Sequence, residues 1–157
     1  MPGSLENRLR YNAWANALLY RELTAKHAPE GARRAMQHVF ETELTWSGRI
    51  LGLGNPKLEL WARVSEQLRS EWLRTARHQM EQVSFAESPG GFERLFRYQT
   101  YSGEEHEDSV GEVLEHTLIH SAQYRGEAAG LSNAAGIQMP DLDYIFWQRS
   151  GEPAGDA

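Results

Sequence analysis

The sequence predicts an all-α protein, a four-helix bundle whose third and fourth helices are joined by a long crossover. Three observations predict it. Apolar side chains recur at three- and four-residue steps through four long segments. Turn-forming residues separate those segments. The period switches to two at one place only, between the third segment and the fourth, so the crossover should carry a short strand or a β-hairpin. The chain has 157 residues, of which 40% are hydrophobic and 10% aromatic. That is enough for one sizeable core and argues against disorder. Residues 1–150 therefore read as a single domain, and the small, polar stretch 151–157 as a flexible tail.

The first helix is expected from residue 5 to about 26. Ser4 stands ready to cap it, and Tyr11, Trp14 and Leu18 form its apolar stripe. His27, Ala28 and Pro29 end it. The second runs from about Pro29, a residue suited to a first turn, to about Leu51, with Met36, Phe40 and Leu44 inward. Gly52 to Pro56 stops it. The third is expected over about 58–83, with Leu60, Val64, Leu68, Trp72 and Met80 inward, and Ser88-Pro89-Gly90-Gly91 closing it. Phe92 to Thr100 then alternates at period two. Ser109-Val110-Gly111-Glu112 is a capping box opening the fourth helix, expected to run to about Asn133. Leu114, Leu118, Ala122 and Ala129 form its apolar face. Asp141 to Gln148 suggests a short closing helix.

Composition narrows the function classes. Sixteen basic against 22 acidic residues give a net charge of −6. A general nucleic-acid binder needs a basic surface to displace phosphate counterions, so no nucleic-acid partner is expected. No apolar run approaches a spanning helix and the amino-terminal residues lack a signal-peptide core, so no membrane partner is expected and the cytoplasm is the expected compartment. The chain has no cysteine, which removes disulfides, thiolate metal ligands and a protein-borne thiol nucleophile.

The residues with chemical potential are histidines. On an ideal helix His116 and Tyr124 each lie about 40° to one side of His120. His116 and His120, four residues apart, are spaced to chelate one ion. Val113, Thr117 and Glu127 share their side. On the second helix His38 lies on one side with Ala35, Thr42, Thr45 and Arg49. A third ligand from a facing helix would complete an open metal site, and His38 is its natural supplier. The same pair also fits two solvated surface histidines. Other features have plainer readings. The run Glu104 to Asp108 reads as a solvated loop. Trp14 and Trp72 read as core or as a dimer interface. Arg125 is expected to pair with Glu41, Glu43 or Glu127, and Gly126 to admit a close helix approach.

Four segments carry a resemblance. Arg10-Tyr11-Asn12-Ala13-Trp14-Ala15-Asn16, His38 to Trp46 (HVFETELTW), Val113 to Glu127 (VLEHTLIHSAQYRGE) and Asp141 to Ile145 (DLDYI) occur in order at matching spacings. Together they resemble the DinB-like family of the DinB/YfiT superfamily of metal-dependent enzymes, over about Leu5 to Gln148. The resemblance implies an up-down-down-up four-helix bundle, a homodimer, a DNA-damage-inducible stress or detoxification context, and three histidines on a divalent metal such as Zn, Ni or Fe. His38 and His120 fall on ligand positions. The third falls on Tyr124, a departure, because a neutral phenol is a poor ligand that binds well only as phenolate. Glu127 also stands where the family has glutamine. Three outcomes follow: Tyr124 ligates as phenolate, His116 turns in as third ligand, or the metal is lost and a polar pocket remains. With metal, the family likeness implies hydrolase or thiol-transferase chemistry, any thiol coming from a small-molecule cosubstrate. Without it, the expectation is a non-catalytic dimer that binds a small ligand.

Overall fold

Ser4 sets the start of the first helix, accepting a hydrogen bond from the Asn7 amide at 3.2 Å. The structure, a computed structural model, describes residues 3–87 and 91–151. The expected turn residues Ser88, Pro89 and Gly90 lie outside the described residues, as does the tail from residue 152. In order come α1 (Leu5–Ala25), α2 (Glu30–Ile50), α3 (Glu66–Glu87), β1 (Leu95–Gln99), β2 (Glu105–Ser109), α4 (Val110–Ala134) and α5 (Tyr144–Ser150). The fold is mostly helical, and β1 and β2 form an antiparallel hairpin in the expected place between α3 and α4. No helix among the described residues is long and apolar enough to cross a membrane. The chain divides into two compact units. One holds the residues up to Val39 and from His120 onward, and the other holds Phe40–Ile119.

Backbone hydrogen bonds explain the boundaries. His27 takes a positive φ of 51°, and the Ala28 amide reaches back to the Leu23 carbonyl at 2.9 Å, a Schellman-type stop to α1. Gly52, at φ 75°, does the same for α2, with the Leu53 amide 2.8 Å from the Gly48 carbonyl. The capping box is present: the Glu112 amide donates to Ser109 Oγ at 3.2 Å, and the Ser109 amide donates to Glu112 Oε2 at 3.4 Å. The amides of Val110 and Gly111 donate to the carbonyls of Arg94 and Phe92, so α4 starts directly from the hairpin with its first donors satisfied.

Within the first unit, α1 packs on α5. Asn7 Nδ2 donates to Tyr144 Oη at 2.9 Å and to Gln148 Oε1 at 2.5 Å, and Tyr11 Oη donates to the Leu142 carbonyl at 2.6 Å. Tyr11, Trp14, Tyr144 and Trp147 form an aromatic cluster with ring centroids 5.2–6.5 Å apart. Trp14, expected in core or interface, is thus a half-buried member of this cluster.

Six expectations need correction. The third helix begins at Glu66, not near Leu58. The Trp61 amide donates to both carboxyl oxygens of buried Glu41 at 3.3 Å, Trp61 takes a φ of 65°, and Ser65 caps the helix through the Leu68 amide. The buried stripe of α3 is Arg69, Ala76, Met80 and Val83. Of the expected inward residues only Met80 is buried, because Arg69 enters the interior in an ion pair with Glu66. On α1 the buried face is Leu9, Asn12, Ala15, Asn16, Leu19, Tyr20 and Leu23 with Ala17, while Tyr11, Trp14 and Leu18 are half-buried.

On α4 the buried face runs through Val113, Leu114, Thr117, Ser121, Arg125, Ala128 and Ser132, whereas Ala122 is exposed and Leu118 and Ala129 are half-buried. Hydroxyls can be buried there because they return to their own helix. Thr117 Oγ1 donates to the Val113 carbonyl at 2.8 Å, and Ser132 Oγ to the Ala128 carbonyl at 2.9 Å. A Cβ at Gly126 would meet nothing within 4 Å, so no close approach explains that glycine. Finally, most of the acidic run is not loop but strand β2. Glu107 accepts from Arg97 at 2.8 Å and Asp108 from the Tyr98 hydroxyl at 2.7 Å.

Candidate functional site

His38 sits on α2, and His120 and Tyr124 sit one turn apart on α4. All three belong to the first unit, and the fold brings them together. The His38 and His120 rings have centroids 5.0 Å apart, His38 and Tyr124 4.7 Å, and His120 and Tyr124 4.6 Å. Each ring is therefore nearly equidistant from the other two. All three side chains are half-buried.

His116 belongs to the other unit. It is exposed, and its ring stands edge-on to Trp46 at 5.6 Å. Among the described residues, no group of three or more His, Cys, Asp or Glu is placed to hold a metal ion. The third ring beside His38 and His120 is the Tyr124 phenol. Imidazole nitrogens suit Zn, Ni and Fe, and a phenol oxygen joins them once it has lost its proton. With its proton, the phenol is a hydrogen-bond donor and acceptor for a polar guest.

Arg125, next to this cluster in sequence, faces the other way. It is buried and donates to Asn12 Oδ1 at 2.5 Å and to Asn16 Oδ1 at 2.7 Å, with its guanidinium 5.6 Å from the Tyr11 ring centroid. Two amides of α1 are thus among its partners. The Asn12 and Asn16 spacing, i and i+4 on one helix face, was the available signal.

Arg49, placed by helical spacing on the His38 side of α2, has a setting of its own that the sequence did not reveal. It is buried at the end of α2, its guanidinium 4.5 Å from the Trp46 ring centroid and 5.1 Å from that of Tyr98. Burial holds its pKa below the usual arginine value, against the opposing pull of Tyr101 and Tyr98. Tyr98 is pushed up to about 12, first by burial and then by its hydrogen bond to Asp108. The Trp46-to-Arg49 step of i, i+3 could have flagged the stack.

Fold and site together define a mostly helical chain with an imidazole–phenol cluster on two of its helices. Compared with known proteins, the chain matches no protein-family model, no curated protein and no solved structure.

Proposed function

We propose that the chain is a DinB-like protein, an up-down-down-up four-helix bundle that works as a homodimer in the cytoplasm, with His38, His120 and Tyr124 as a site for one divalent metal ion. The observation that supports this reading is the near-equilateral set of three rings, with centroid separations of 4.6–5.0 Å. Three donors converging from two helices, with a position left open, is the arrangement of metal sites that do chemistry. His38 and His120 would hold the ion through ring nitrogens, and Tyr124 through its oxygen. Such an ion lowers the pKa of a water or of a small-molecule thiol, which is what hydrolase or thiol-transferase chemistry requires. The chain has no cysteine, so the thiol belongs to a cosubstrate.

A second reading is favoured by Tyr124 itself. A neutral phenol in the third position makes a two-histidine site weak, and the same three rings then form a metal-free polar pocket that binds a small ligand without catalysis.

Metal analysis of tag-free protein separates the two. After incubation with Zn, Ni or Fe at neutral pH, the metal reading expects about one equivalent bound, lost in His120→Ala. Tyr124→His should raise affinity by orders of magnitude, since it supplies a third borderline donor. No uptake of any of the three ions, or uptake unchanged in His120→Ala, removes the metal reading and leaves the polar pocket. A monomeric mass at micromolar concentration would refute the homodimer.

A further inference from the structure

The end of α2 carries an arginine that the imidazole–phenol cluster does not use. Arg49 is 8% exposed. Its guanidinium lies against the rings of Trp46, Tyr98 and Tyr101, at 4.5, 5.1 and 5.7 Å from their centroids. Its Nε donates to Asn55 Oδ1 at 2.7 Å. Among the described residues no carboxylate pairs with it. Arginines are almost never fully buried without a charged partner, because taking the cation out of water is costly. Stacking on ring faces and one amide contact occupy the flat face and Nε, which leaves the Nη edge with its fork of N–H donors.

Arg49 lines a cleft of about 470 Å³ within the second unit, shared with Gly54, Asn55, Arg97, Gln99 and Glu105. That volume falls within the range of small-molecule clefts, roughly 300–1,000 Å³. Gly54 has a φ of 77°, and its carbonyl lies where a Cβ on Gly48 would come within 3.0 Å, so the 52–54 loop folds tightly back on α2 beside the arginine. Arg97 adds a second positive charge to the wall, although Glu107 already holds its Nε at 2.8 Å. Glu105, which accepts from Gln99 Nε2 at 3.2 Å, adds one negative charge.

We propose that this cleft binds a small organic oxyanion, a carboxylate or a phosphate, whose anionic head takes the Arg49 fork in a bidentate contact. The fork geometry matches both heads. The ligand replaces the counter-charge that the described fold does not supply. Glu105 disfavours a second negative group on the guest, so a guest with one anionic group fits best.

The test is a titration of tryptophan fluorescence, which Trp46 under Arg49 makes sensitive to occupancy. The probes are N-acetylglycine and inorganic phosphate at constant ionic strength, with sodium chloride as the control. A saturable change is expected with at least one probe, and the probe that saturates assigns the head as carboxylate or phosphate. Arg49→Lys keeps the charge but loses the fork and should weaken binding about tenfold. Two exposed changes have opposite signs: Arg97→Gln should weaken binding about threefold and Glu105→Gln should tighten it about threefold, as expected for one solvent-screened charge each. Should Arg49→Lys fail to fold by circular dichroism, the two exposed variants decide. Saturation by neither probe, an equal response to chloride, or affinities unmoved by the folded variants would overturn the proposal.

Discussion

Arg125→Leu tests how much of the stability of the first unit rests on one buried cation. Arg125 gives two charge-assisted hydrogen bonds to the amide oxygens of Asn12 and Asn16 and lies 5.6 Å from the Tyr11 ring centroid. Hydrogen bonds from a charged donor contribute about 1.5–3 kcal/mol each, and an exposed to partly buried cation–π contact about 0.5–1. Leucine restores some packing but no donor, and both amide oxygens stay in the interior, because Asn12 and Asn16 are 2% and 1% exposed. The expected net loss is about 3–5 kcal/mol, a large part of the 5–15 typical of a domain, with Tm falling by about 10 °C. Urea unfolding followed by circular dichroism reads the loss directly. A double-mutant cycle with Asn16→Ala should show a coupling of about 1–3 kcal/mol. A loss below about 1 kcal/mol, or strict additivity with Asn16→Ala, would mean that Arg125 is held by packing of its stem alone.

Two more expectations concern the hairpin and its exit. Ser109→Ala removes the two bonds of the Ser109 hydroxyl, given to Glu112 Oε2 and accepted from the Glu112 amide, and should cost about 1 kcal/mol in urea unfolding, whereas a cost near zero would show that the backbone donations to Arg94 and Phe92 suffice. Tyr98, pushed up to about 12, should develop its phenolate absorbance well above the usual tyrosine value near 10. Because folding favours its neutral form, its contribution to stability is complete below the unfolded tyrosine value near 10 and fades as pH rises through about 12. Subtracting the titration of Tyr98→Phe isolates it, and a difference midpoint near 10 would contradict the assigned burial and the bond to Asp108.

Element order was legible because caps and turns act locally. Ser4, the His27–Pro29 break, Gly52 and the Ser109–Glu112 box each fix a boundary through bonds spanning a few residues, and each is where the sequence puts it. Inward faces were harder. The pattern of apolar residues pointed to Leu118 and Ala122 on α4, yet the interior takes Thr117, Ser121 and Ser132, and at Thr117 and Ser132 the hydroxyl is satisfied by its own helix. The α3 start failed for the opposite reason. A distant residue, Glu41, claims the Trp61 amide, and no local rule reports that. Of the site, helical spacing put Tyr124 beside His120 on α4 and the family resemblance set His38 with them, whereas the Arg49 stack needed the hairpin to bring Tyr98 and Tyr101 back to α2.

The acidic strand has one more consequence. A ribbon of only two strands presents open backbone donors and acceptors along its outer margins, an invitation to add a third strand from another molecule. In β2 that margin bears Glu105, Glu107 and Asp108 in close succession, so a like ribbon approaching it meets repulsion before any amide can bond. The same carboxylates that bind Arg97 and Tyr98 thereby act as gatekeepers against edge-to-edge strand pairing.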